Sequence, residues 1–379
     1  MPVVTCIEDL REMAKKRVAR AIFDYVDCGS YSEFTLRANR ADFEAIALRQ
    51  RVGIDVERRS TRTTMAGQEA AMPVALAPTG LTGLNWADGE MLAARAAERF
   101  GVPFTLSTMS ICSIEDVAGA VTRPFWFQLY VMRDRGFAAS LIERAKLAKC
   151  SALVLTLDLQ IQGQRHRDLK NGLAVPPRLT FGTFLDVLSK PSWALNVLRG
   201  RRKSFGNLEG RIPDANSLTT LSQWIAGQFD PTLSWKDVEW VKDRWGGKLV
   251  LKGILDAEDA KIAASSGADA IVVSNHGGRQ LDGTISSIRA LPEVVDAVGD
   301  RMEVWLDGGI RSGQDVLKAL ALGARATMIG RAFLYGLGAM GEAGVTRALE
   351  IIRAELDVSM ALCGLRDVKD ASRSMLRAL

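Results

Sequence analysis

Eight short apolar runs, separated by segments long enough to form helices, constrain the fold of this 379-residue chain more than any other feature. The runs cover residues 72–78, 103–108, 125–130, 152–158, 248–253, 270–275, 303–309 and 327–331. Several follow a helical pattern that ends in glycine, at Gly101, Gly267 and Gly323, which is typical of a helix leading into a buried parallel strand. Eight such units predict an α/β chain folded as a closed (β/α)8 TIM barrel. An open doubly wound sheet is the alternative, although no GxGxxG motif follows the first run.

The remaining segments fit around one domain that spans residues 1–379. The N-terminal segment predicts an amphipathic helix with apolar residues at helical spacing, namely Leu10, Ala14, Val18, Ile22 and Tyr25. Residues 176–232 form an insertion after the fourth strand, longer than an ordinary connection. Beyond it, residues 234–246 have the pattern of the expected helix.

Composition points to a reducing compartment and away from a membrane-spanning protein. The five cysteines form no CxxC or Cys/His arrangement, so neither a disulfide framework nor a metal site is expected. The chain has no run of about 18 or more consecutive apolar residues, so we expect no bilayer-spanning segment. A net charge of +5 permits anionic partners without naming one, and we expect no nucleic acid among them.

Polar residues and glycines cluster where the apolar runs end. The carboxyl ends of the strands form the active-site rim of such a barrel. Polar side chains would be desolvated there, and they persist only when they pair with one another or with a ligand. The residues at these ends are Thr79, Gly80, Ser107, Gln128, Tyr130, Thr156, Asp158, Lys252, Ser274, His276, Asp307, Gly308, Gly309, Arg311, Gly330 and Arg331.

The ends of the last two runs predict a phosphate site. "DGGIRSG" at 307–313 and "IGR" at 329–331 are glycine-rich stretches on adjacent strands, each with an arginine. Glycine lets backbone N–H groups approach an oxyanion, and Arg311 and Arg331 supply positive charge. A tight turn would explain either stretch alone, but the pair favours phosphate.

The other strand-end residues favour FMN as the ligand that carries this phosphate. Lys252 would be a buried ammonium that needs an anionic neighbour. A fixed lysine suits an isoalloxazine ring, because the cation stabilises the negative charge that the ring gains on reduction. A salt bridge at the rim is the alternative for this lysine. Groups able to hydrogen-bond to a flat heterocycle are Ser107, Gln128, Thr156 and the backbone at Thr79 and Gly80.

The stretch "SNHGGRQLDG" at 274–283 predicts the catalytic centre. His276 and Arg279 lie three residues apart in a glycine-rich loop directly after the sixth run. Asp158 ends a run two places away around the barrel, where a carboxylate can orient an imidazole and stabilise its protonated form. Arg279 offers two parallel donors to a substrate carboxylate. We therefore predict that His276 takes a proton from a small acid, a structural histidine being the alternative.

Three further side chains are expected to reach the same substrate. Tyr25 and Tyr130 would add phenolic hydrogen bonds, and Arg165 would reach back from the loop after the fourth run. The second histidine of the chain, His166, lies among charged residues, and we expect it to be solvated.

These residues resemble those of the FMN-dependent α-hydroxy acid dehydrogenases and oxidases, a family that includes L-lactate dehydrogenase, mandelate dehydrogenase and glycolate oxidase. The resemblance runs from about residue 5 to residue 365, and "SNHGGRQLD" is its most specific motif. The motifs "FDYVDCGS", "APTG", "STMS", "FQLY", "LTLD", "LKG", "DGGIRSG" and "IGRAFLYGL" follow in the family's order. One departure is "DCGS" after the tyrosine, where "GGA" is common.

The resemblance implies a role for each of these residues. His276 would be the base or proton acceptor, and Asp158 would be its partner. The implied substrate contacts are Tyr25, Tyr130, Arg165, His276 and Arg279. The implied FMN contacts are Ala77, Pro78, Thr79, Gly80, Ser107, Gln128, Thr156, Lys252, Ser274, Asp307, Gly308, Gly309, Arg311, Gly330 and Arg331.

The implied reaction is oxidation of an L-2-hydroxy acid to the 2-oxo acid, with L-lactate to pyruvate as the first expectation. Electrons would pass from reduced FMN to a quinone or another respiratory acceptor, and the chain would be a homo-oligomer, a tetramer by resemblance. The residue types leave open whether His276 removes the α-proton first or the hydroxyl proton during hydride transfer. The alternatives are (S)-mandelate dehydrogenase, an oxidase that uses O2, an FMN-dependent isomerase and a non-catalytic membrane adaptor.

Residues 177–205 predict a surface that binds a membrane. This stretch alternates apolar clusters with the basic residues Arg199, Arg201, Arg202 and Lys203. Aromatic and aliphatic anchors beside basic charge are typical of an interfacial segment. The apolar anchors are Phe181, Phe184, Leu185, Leu188, Trp193, Leu195 and Leu198. We expect a cytoplasmic protein that lies peripherally on the inner face of the cell membrane, with a lid or an oligomer contact as the alternative for this segment.

Overall fold

The computed structural model describes residues 3–173, 181–209, 224 and 227–377. Within these ranges, eight parallel strands form one sheet in the order β1-β8-β7-β6-β5-β4-β3-β2. A parallel bridge between Leu76 and Phe104 joins its two ends, which confirms the predicted (β/α)8 barrel. The strands are β1 (Val74–Leu76), β2 (Thr105–Ser107), β3 (Trp126–Leu129), β4 (Ala152–Thr156), β5 (Lys248–Ile254), β6 (Ala270–Val273), β7 (Glu303–Asp307) and β8 (Ala326–Ile329).

Helices surround the barrel and bury their apolar faces against it. One continuous apolar cluster lies between the outer faces of the strands and the helices. The helices are α1 (Ile7–Arg17), α2 (Arg20–Asp27), α3 (Phe34–Glu44), α4 (Gly89–Phe100), α5 (Ile114–Ala118), α6 (Arg135–Leu147), α7 (His166–Lys170), α8 (Phe181–Leu188), α9 (Pro191–Arg199), α10 (Trp235–Trp245), α11 (Ala257–Ser265), α12 (Ser287–Val298), α13 (Gly313–Ala321), α14 (Arg331–Met340) and α15 (Glu342–Leu362).

The interior of the barrel has an apolar lower part and a polar top. Successive side chains of a strand point to opposite faces, so every second residue faces the interior. Trp126 of β3 and Trp305 of β7 stack in the lower part, with ring centroids 5.2 Å apart. Two residues further along the same strands come Gln128 and Asp307. We call this upper set the polar layer, and its members are Ser107, Gln128, Thr156, Lys252, Ser274 and Asp307.

The predicted N-terminal helix is two helices, so this prediction was wrong in part. Val18 and Ala19 are extended, with ψ of 144° and 138°, and they separate α1 from α2. Both helices contact α14, on which α1 packs most extensively, but only α2 turns to contact α7 and α8 as well. One straight helix could not pack against both sets of partner helices. Neither glycine nor proline marks the break in the sequence.

The insertion between β4 and β5 is described in part. Its helix α9 lies on the loop that follows β1, where Trp193 Nε1 donates to the Leu84 carbonyl at 2.9 Å and Ala87 N–H donates to Asn196. Helix α8 contacts α2 and α9. The helix expected at 234–246 is α10. Parts of the predicted insertion 176–232 and of the segment 177–205 lie outside the described residues, as does the side chain of Phe181.

Candidate functional site

The polar layer is the floor of a cavity of about 420 Å³ at the carboxyl ends of the strands. This volume lies within the range of cofactor and small-molecule sites. Ser107, Lys252 and Asp307 face the cavity. Most of the residues predicted at the rim are in its wall, namely Tyr25, Ala77, Pro78, Thr79, Gly80, Tyr130, Arg165, His276, Arg279, Gly308, Gly309, Arg311, Gly330 and Arg331.

Four predicted residues lie next to this wall instead of in it: Gln128, Thr156, Asp158 and Ser274. Gln128 pairs with Ser107 across β2 and β3, and its Oε1 accepts from the Ser107 hydroxyl at 3.0 Å. Thr156 pairs with Lys252 across β4 and β5. Gln128 and Thr156 therefore each lie in the barrel interior beside a residue that faces the cavity.

Lys252 is the charged centre of the floor. Its Nζ lies 2.7 Å from Asp307 Oδ2 and 3.0 Å from Ser274 Oγ, and its side chain is buried. Burial lowers the pKa of Lys252, but attraction to Asp307 and then to Asp158 outweighs this effect, so the pKa is raised. The anionic neighbour that this lysine requires is therefore Asp307, so the salt bridge given as the alternative for Lys252 is present, and the lysine still faces the cavity. The ammonium remains protonated at neutral pH.

Several buried polar atoms at the strand ends have no hydrogen-bond partner among the described residues. They are Gln128 Nε2, Thr156 Oγ1, Asp158 Oδ2 and Asp307 Oδ1. A buried polar atom without a partner costs about 1–3 kcal/mol, so such atoms are rare unless a ligand completes them. The isoalloxazine edge and ribityl hydroxyls of FMN carry complementary donors and acceptors. The donor set at this floor therefore fits FMN.

Glycine is required at the end of β7, where the sequence predicts phosphate. Gly308 and Gly309 have φ of 95° and 86°, a region that side chains disfavour. A Cβ at Gly309 would lie 2.0 Å from the carbonyl oxygen of Asn39. Backbone without side chains therefore lines the cavity beside Arg311. The Arg311 guanidinium lies 5.5 Å from the ring centroid of Tyr335.

Arg331 has a structural task that the sequence did not reveal. Its Nε, Nη1 and Nη2 atoms donate to the carbonyls of Val26, Gly277 and Cys28, each at 2.9 Å. Burial lowers the pKa of Arg331 to about 10, so it is still charged at neutral pH. This arginine therefore ties the end of α2 to the loop that carries His276, while it also lines the cavity.

His276 and Asp158 form the predicted pair. His276 Nδ1 lies 2.9 Å from Asp158 Oδ1. Burial raises the pKa of Asp158, but attraction to His276 and their hydrogen bond outweigh this effect, so the pKa is lowered and the carboxylate is ionised at neutral pH. An ionised carboxylate only accepts hydrogen bonds, so Nδ1 carries a proton, and in the neutral ring Nε2 then presents a lone pair. His276 can therefore accept a proton in the cavity through Nε2.

Two arginines flank Tyr25. The Arg279 and Arg165 guanidiniums lie 4.8 and 5.6 Å from the Tyr25 ring centroid. Arg279 is anchored through Nη1, which donates to the carbonyls of Tyr25 and Cys28. Arg165 donates through Nε to Asp168. Two fixed cations and a phenol in one wall provide a site for a small carboxylate.

Tyr130 completes this side of the cavity. Its ring packs edge-on against Phe229, with centroids 6.4 Å apart. Burial raises the pKa of its phenol, so it is protonated at neutral pH and can donate a hydrogen bond to a substrate oxygen.

Sequence reasoning missed several residues of the site, and three of them show why. Gln280 Nε2 donates to the Asp158 carbonyl at 2.7 Å, and its place beside Arg279 in the motif was a usable signal. Asp168, three residues after Arg165, gave a weaker signal through its spacing. Phe229 gave none, because it lies in the insertion. The expectation for His166 is confirmed, since its side chain is exposed.

Comparisons with known proteins agree with this geometry. A family model described as FMN-dependent dehydrogenase matches residues 14–378. L-lactate dehydrogenase of Caulobacter vibrioides is 49% identical over 375 residues, which cover 99% of this chain and 98% of that protein. L-lactate dehydrogenase of Acinetobacter baylyi is 46% identical, with 99% and 97% covered. The crystal structure of the monotopic membrane protein (S)-mandelate dehydrogenase matches with a TM-score of 0.94 at 37% identity, covering 99% of this chain and 100% of that chain.

Replacing Lys252 should lower the free energy of unfolding by more than the loss of its own hydrogen bonds would. Lys252→Met leaves Asp307 buried without a counter-ion, which should lower the free energy of unfolding by about 3–5 kcal/mol. Lys252→Met with Asp307→Asn should recover part of this loss. Urea unfolding followed by circular dichroism, without added FMN, measures both effects.

The matched control is Lys261→Met, which removes an exposed lysine that pairs with Glu258. We expect its unfolding free energy to stay close to that of the parent. If Lys252→Met behaves like this control, or if the double variant is no more stable than the single one, the floor does not depend on the buried pair.

Proposed function

Because the chain belongs to the FMN-dependent dehydrogenase family and uses FMN, we propose that it oxidises an L-2-hydroxy acid to the 2-oxo acid, with L-lactate as the preferred substrate. The supporting observation is that His276, paired with Asp158, shares one cavity with Arg279, Tyr25 and Tyr130. The names of the relatives from Caulobacter and Acinetobacter support L-lactate.

FMN, when bound, supplies the acceptor for the two electrons of the substrate. The residues that would hold it are the polar layer, the backbone from Ala77 to Gly80, and the glycines and arginines after β7 and β8. Lys252 supplies a fixed positive charge to the floor, and Asp307 keeps it protonated.

The acid would bind through its carboxylate at Arg279, with Tyr25 and Arg165 on the same side. Charge-assisted hydrogen bonds to a carboxylate are strong and directional, so they would fix the carbon that carries the hydroxyl group. Tyr130 would donate to the hydroxyl oxygen. His276 would accept the proton through Nε2, and Asp158 would stabilise the resulting imidazolium. This geometry serves removal of either the α-proton or the hydroxyl proton.

A second candidate substrate is (S)-mandelate, which the solved relative named above favours. The cavity is partly apolar, with Met109, Leu159, Phe205 and Phe229 in its wall, so a larger side chain would find contacts there. The site does not favour the alternative of an FMN-dependent isomerase, because an isomerase acting on a diphosphate would not require His276, Arg279 and Tyr130 in one wall.

His276→Gln should retain FMN and lose turnover. A positioned general base contributes about 10²–10⁴-fold, and the variant also loses the contact to Asp158. A panel of L-2-hydroxy acids assayed with an artificial dye acceptor measures the loss and ranks L-lactate against (S)-mandelate. His166→Gln is the matched control, because its side chain is exposed, and it should match the parent. Turnover by His276→Gln within about threefold of the parent would remove this residue from the mechanism.

We also propose that α8 and α9 bind a membrane surface. Phe184, Leu185 and Leu188 on α8 and Leu195 and Leu198 on α9 are all about half exposed or more. Apolar side chains clustered on an exposed surface favour an apolar partner. In the part of the chain that the structure describes, no helix is long and apolar enough to cross a bilayer. Peripheral binding is therefore the proposed mode.

Two residues of the predicted membrane segment have other roles. Trp193 is buried, and its indole nitrogen is bonded to Leu84, so it anchors α9 to the barrel and was wrongly counted as a membrane contact. Arg202 is bonded to Asp116 and Glu209. The exposed basic residues are Arg199, Arg201 and Lys203.

The basic surface extends beyond the insertion to the junction of α1 and α2. Lys190 Nζ donates to the Lys16 carbonyl at 2.5 Å, and Arg20 N–H donates to Asp186 at 2.6 Å. Lys15, Lys16 and Arg20 are exposed beside the hairpin of α8 and α9. Positive charge next to exposed leucines favours anionic lipid, at about 1 kcal/mol for each basic residue near the surface.

We expect Leu198→Ser to weaken binding to vesicles that contain phosphatidylglycerol by about tenfold, since burying one leucine contributes about 1.5–3 kcal/mol. Cosedimentation measures the partition, and turnover with a dye should be unchanged. Leu147→Ser is the matched control, because Leu147 is an exposed leucine on α6 and is not part of the hairpin. Equal sedimentation of both variants and the parent would contradict the membrane role.

The proposal also covers the electron acceptor and the oligomeric state. A membrane position favours a quinone or another respiratory carrier over O2, and it agrees with the inner face of the cell membrane. A homo-oligomer, most simply the tetramer implied by the resemblance, is supported by exposed apolar side chains on three segments that hydrogen-bond to one another. These side chains are Tyr31, Phe34, Ile161, Leu281 and Ile285.

A further inference from the structure

The loop that carries His276 has a backbone conformation that histidine disfavours. His276, Gly277 and Gly278 have φ of 56°, 66° and 73°, so three successive residues are left-handed. A residue with a side chain costs about 1–3 kcal/mol in such a conformation, which persists only where its surroundings enforce it. The groups that enforce this loop therefore control where the imidazole lies.

Asn275 is one of these groups. Its Oδ1 accepts from Gly278 N–H at 3.1 Å, and its Nδ2 donates to the Ile285 carbonyl at 3.1 Å. A reversed side-chain amide would set a donor against the N–H of Gly278 and an oxygen against the Ile285 carbonyl. The loop therefore needs one orientation of this amide.

Asn39 supports that orientation from outside the barrel. It lies on α3, is only 1% exposed, and forms a reciprocal pair with Asn275, with both N–H to O distances at 2.9 Å. Its Oδ1 also accepts from the backbone N–H of Ser287 at 3.2 Å. A backbone N–H can only donate, so Ser287 fixes the Asn39 amide and Asn39 in turn fixes that of Asn275.

We propose that Asn39 is a positioning residue for His276 and Arg279 that acts through Asn275, a role that rests on the proposed function. The backbone N–H groups of Ser287 and Gly278 donate into the two ends of this amide pair, and Gly278 lies between His276 and Arg279 in the loop. Asn39 is not among the residues that line the cavity, although its side-chain amide lies behind Gly308 of the wall. Its main chain packs against Gly309, and this contact does not depend on the amide.

The test uses the FMN-loaded protein and anaerobic bleaching of its flavin by saturating L-2-hydroxy acid. Asn39→Ala should slow bleaching by about 10²-fold, because a small displacement of catalytic groups has effects of this size. FMN affinity, measured by titrating flavin-free protein, should stay within about threefold of the parent, since the backbone at Gly309 is unchanged. Asn39→Asp keeps the volume but sets a carboxylate oxygen against Asn275 Oδ1, and should slow bleaching at least as much.

A double-mutant cycle separates positioning from general support of the fold. If Asn39 acts through Asn275, Asn39→Ala should add little to the loss already caused by Asn275→Ala. The matched control is Asp42→Asn on the same helix, because Asp42 accepts from the Ser286 hydroxyl and has no bond to Asn275. This control should bleach at the rate of the parent.

The possible results test the positioning role of Asn39 and the proposed function separately. Bleaching by Asn39→Ala at the parent rate, or rate losses that multiply in the double variant, would overturn the positioning role even if the variant melts earlier. Should Asn39→Ala not fold, Asn39→Asp carries the same comparison. A parent protein that no L-2-hydroxy acid bleaches would instead overturn the proposed function.

Discussion

The buried ammonium of Lys252 is the constraint from which the rest of the site follows. A charge on the barrel floor requires a counter-ion, and Asp307 supplies it from β7 at 2.7 Å. The strand geometry explains why these two side chains meet, because alternate residues face the interior and the upper layer of that interior is polar. Trp126 and Trp305 fill the layer beneath and keep water from the pair. The barrel thus holds a fixed ammonium, paired with a carboxylate, in a floor over which a flat ring can lie.

The chemistry above this floor depends on loops that are held by hydrogen bonds to backbone atoms. Arg331 binds three carbonyl groups and so joins the end of α2 to the loop after β6. Arg279 anchors one nitrogen in the same way, near Tyr25. These contacts come from three distant parts of the sequence. They explain how a glycine-rich loop can hold an imidazole in one position.

The strands and the rim were predictable from the sequence because both are local. An apolar run, a strand-end aspartate and a Gly-Gly pair indicate the same features in any barrel of this kind. His276, Asp158 and Lys252 could therefore be predicted as residues of the site. The break between α1 and α2, the burial of Trp193 and the bonds of Arg331 could not, because each is decided by a distant partner. Asn39 lies 236 residues from Asn275, and its α3 helix shows no motif.

The central claim is that FMN bound over this floor takes two electrons from an L-2-hydroxy acid held beside His276. An anaerobic single turnover tests it most directly, with the loss of flavin absorbance and the 2-oxo acid measured in one sample. We predict that L-lactate bleaches the FMN-loaded protein and yields one pyruvate for each FMN. Bleaching by no acid in the series, or bleaching without an equivalent of 2-oxo acid, would contradict the account.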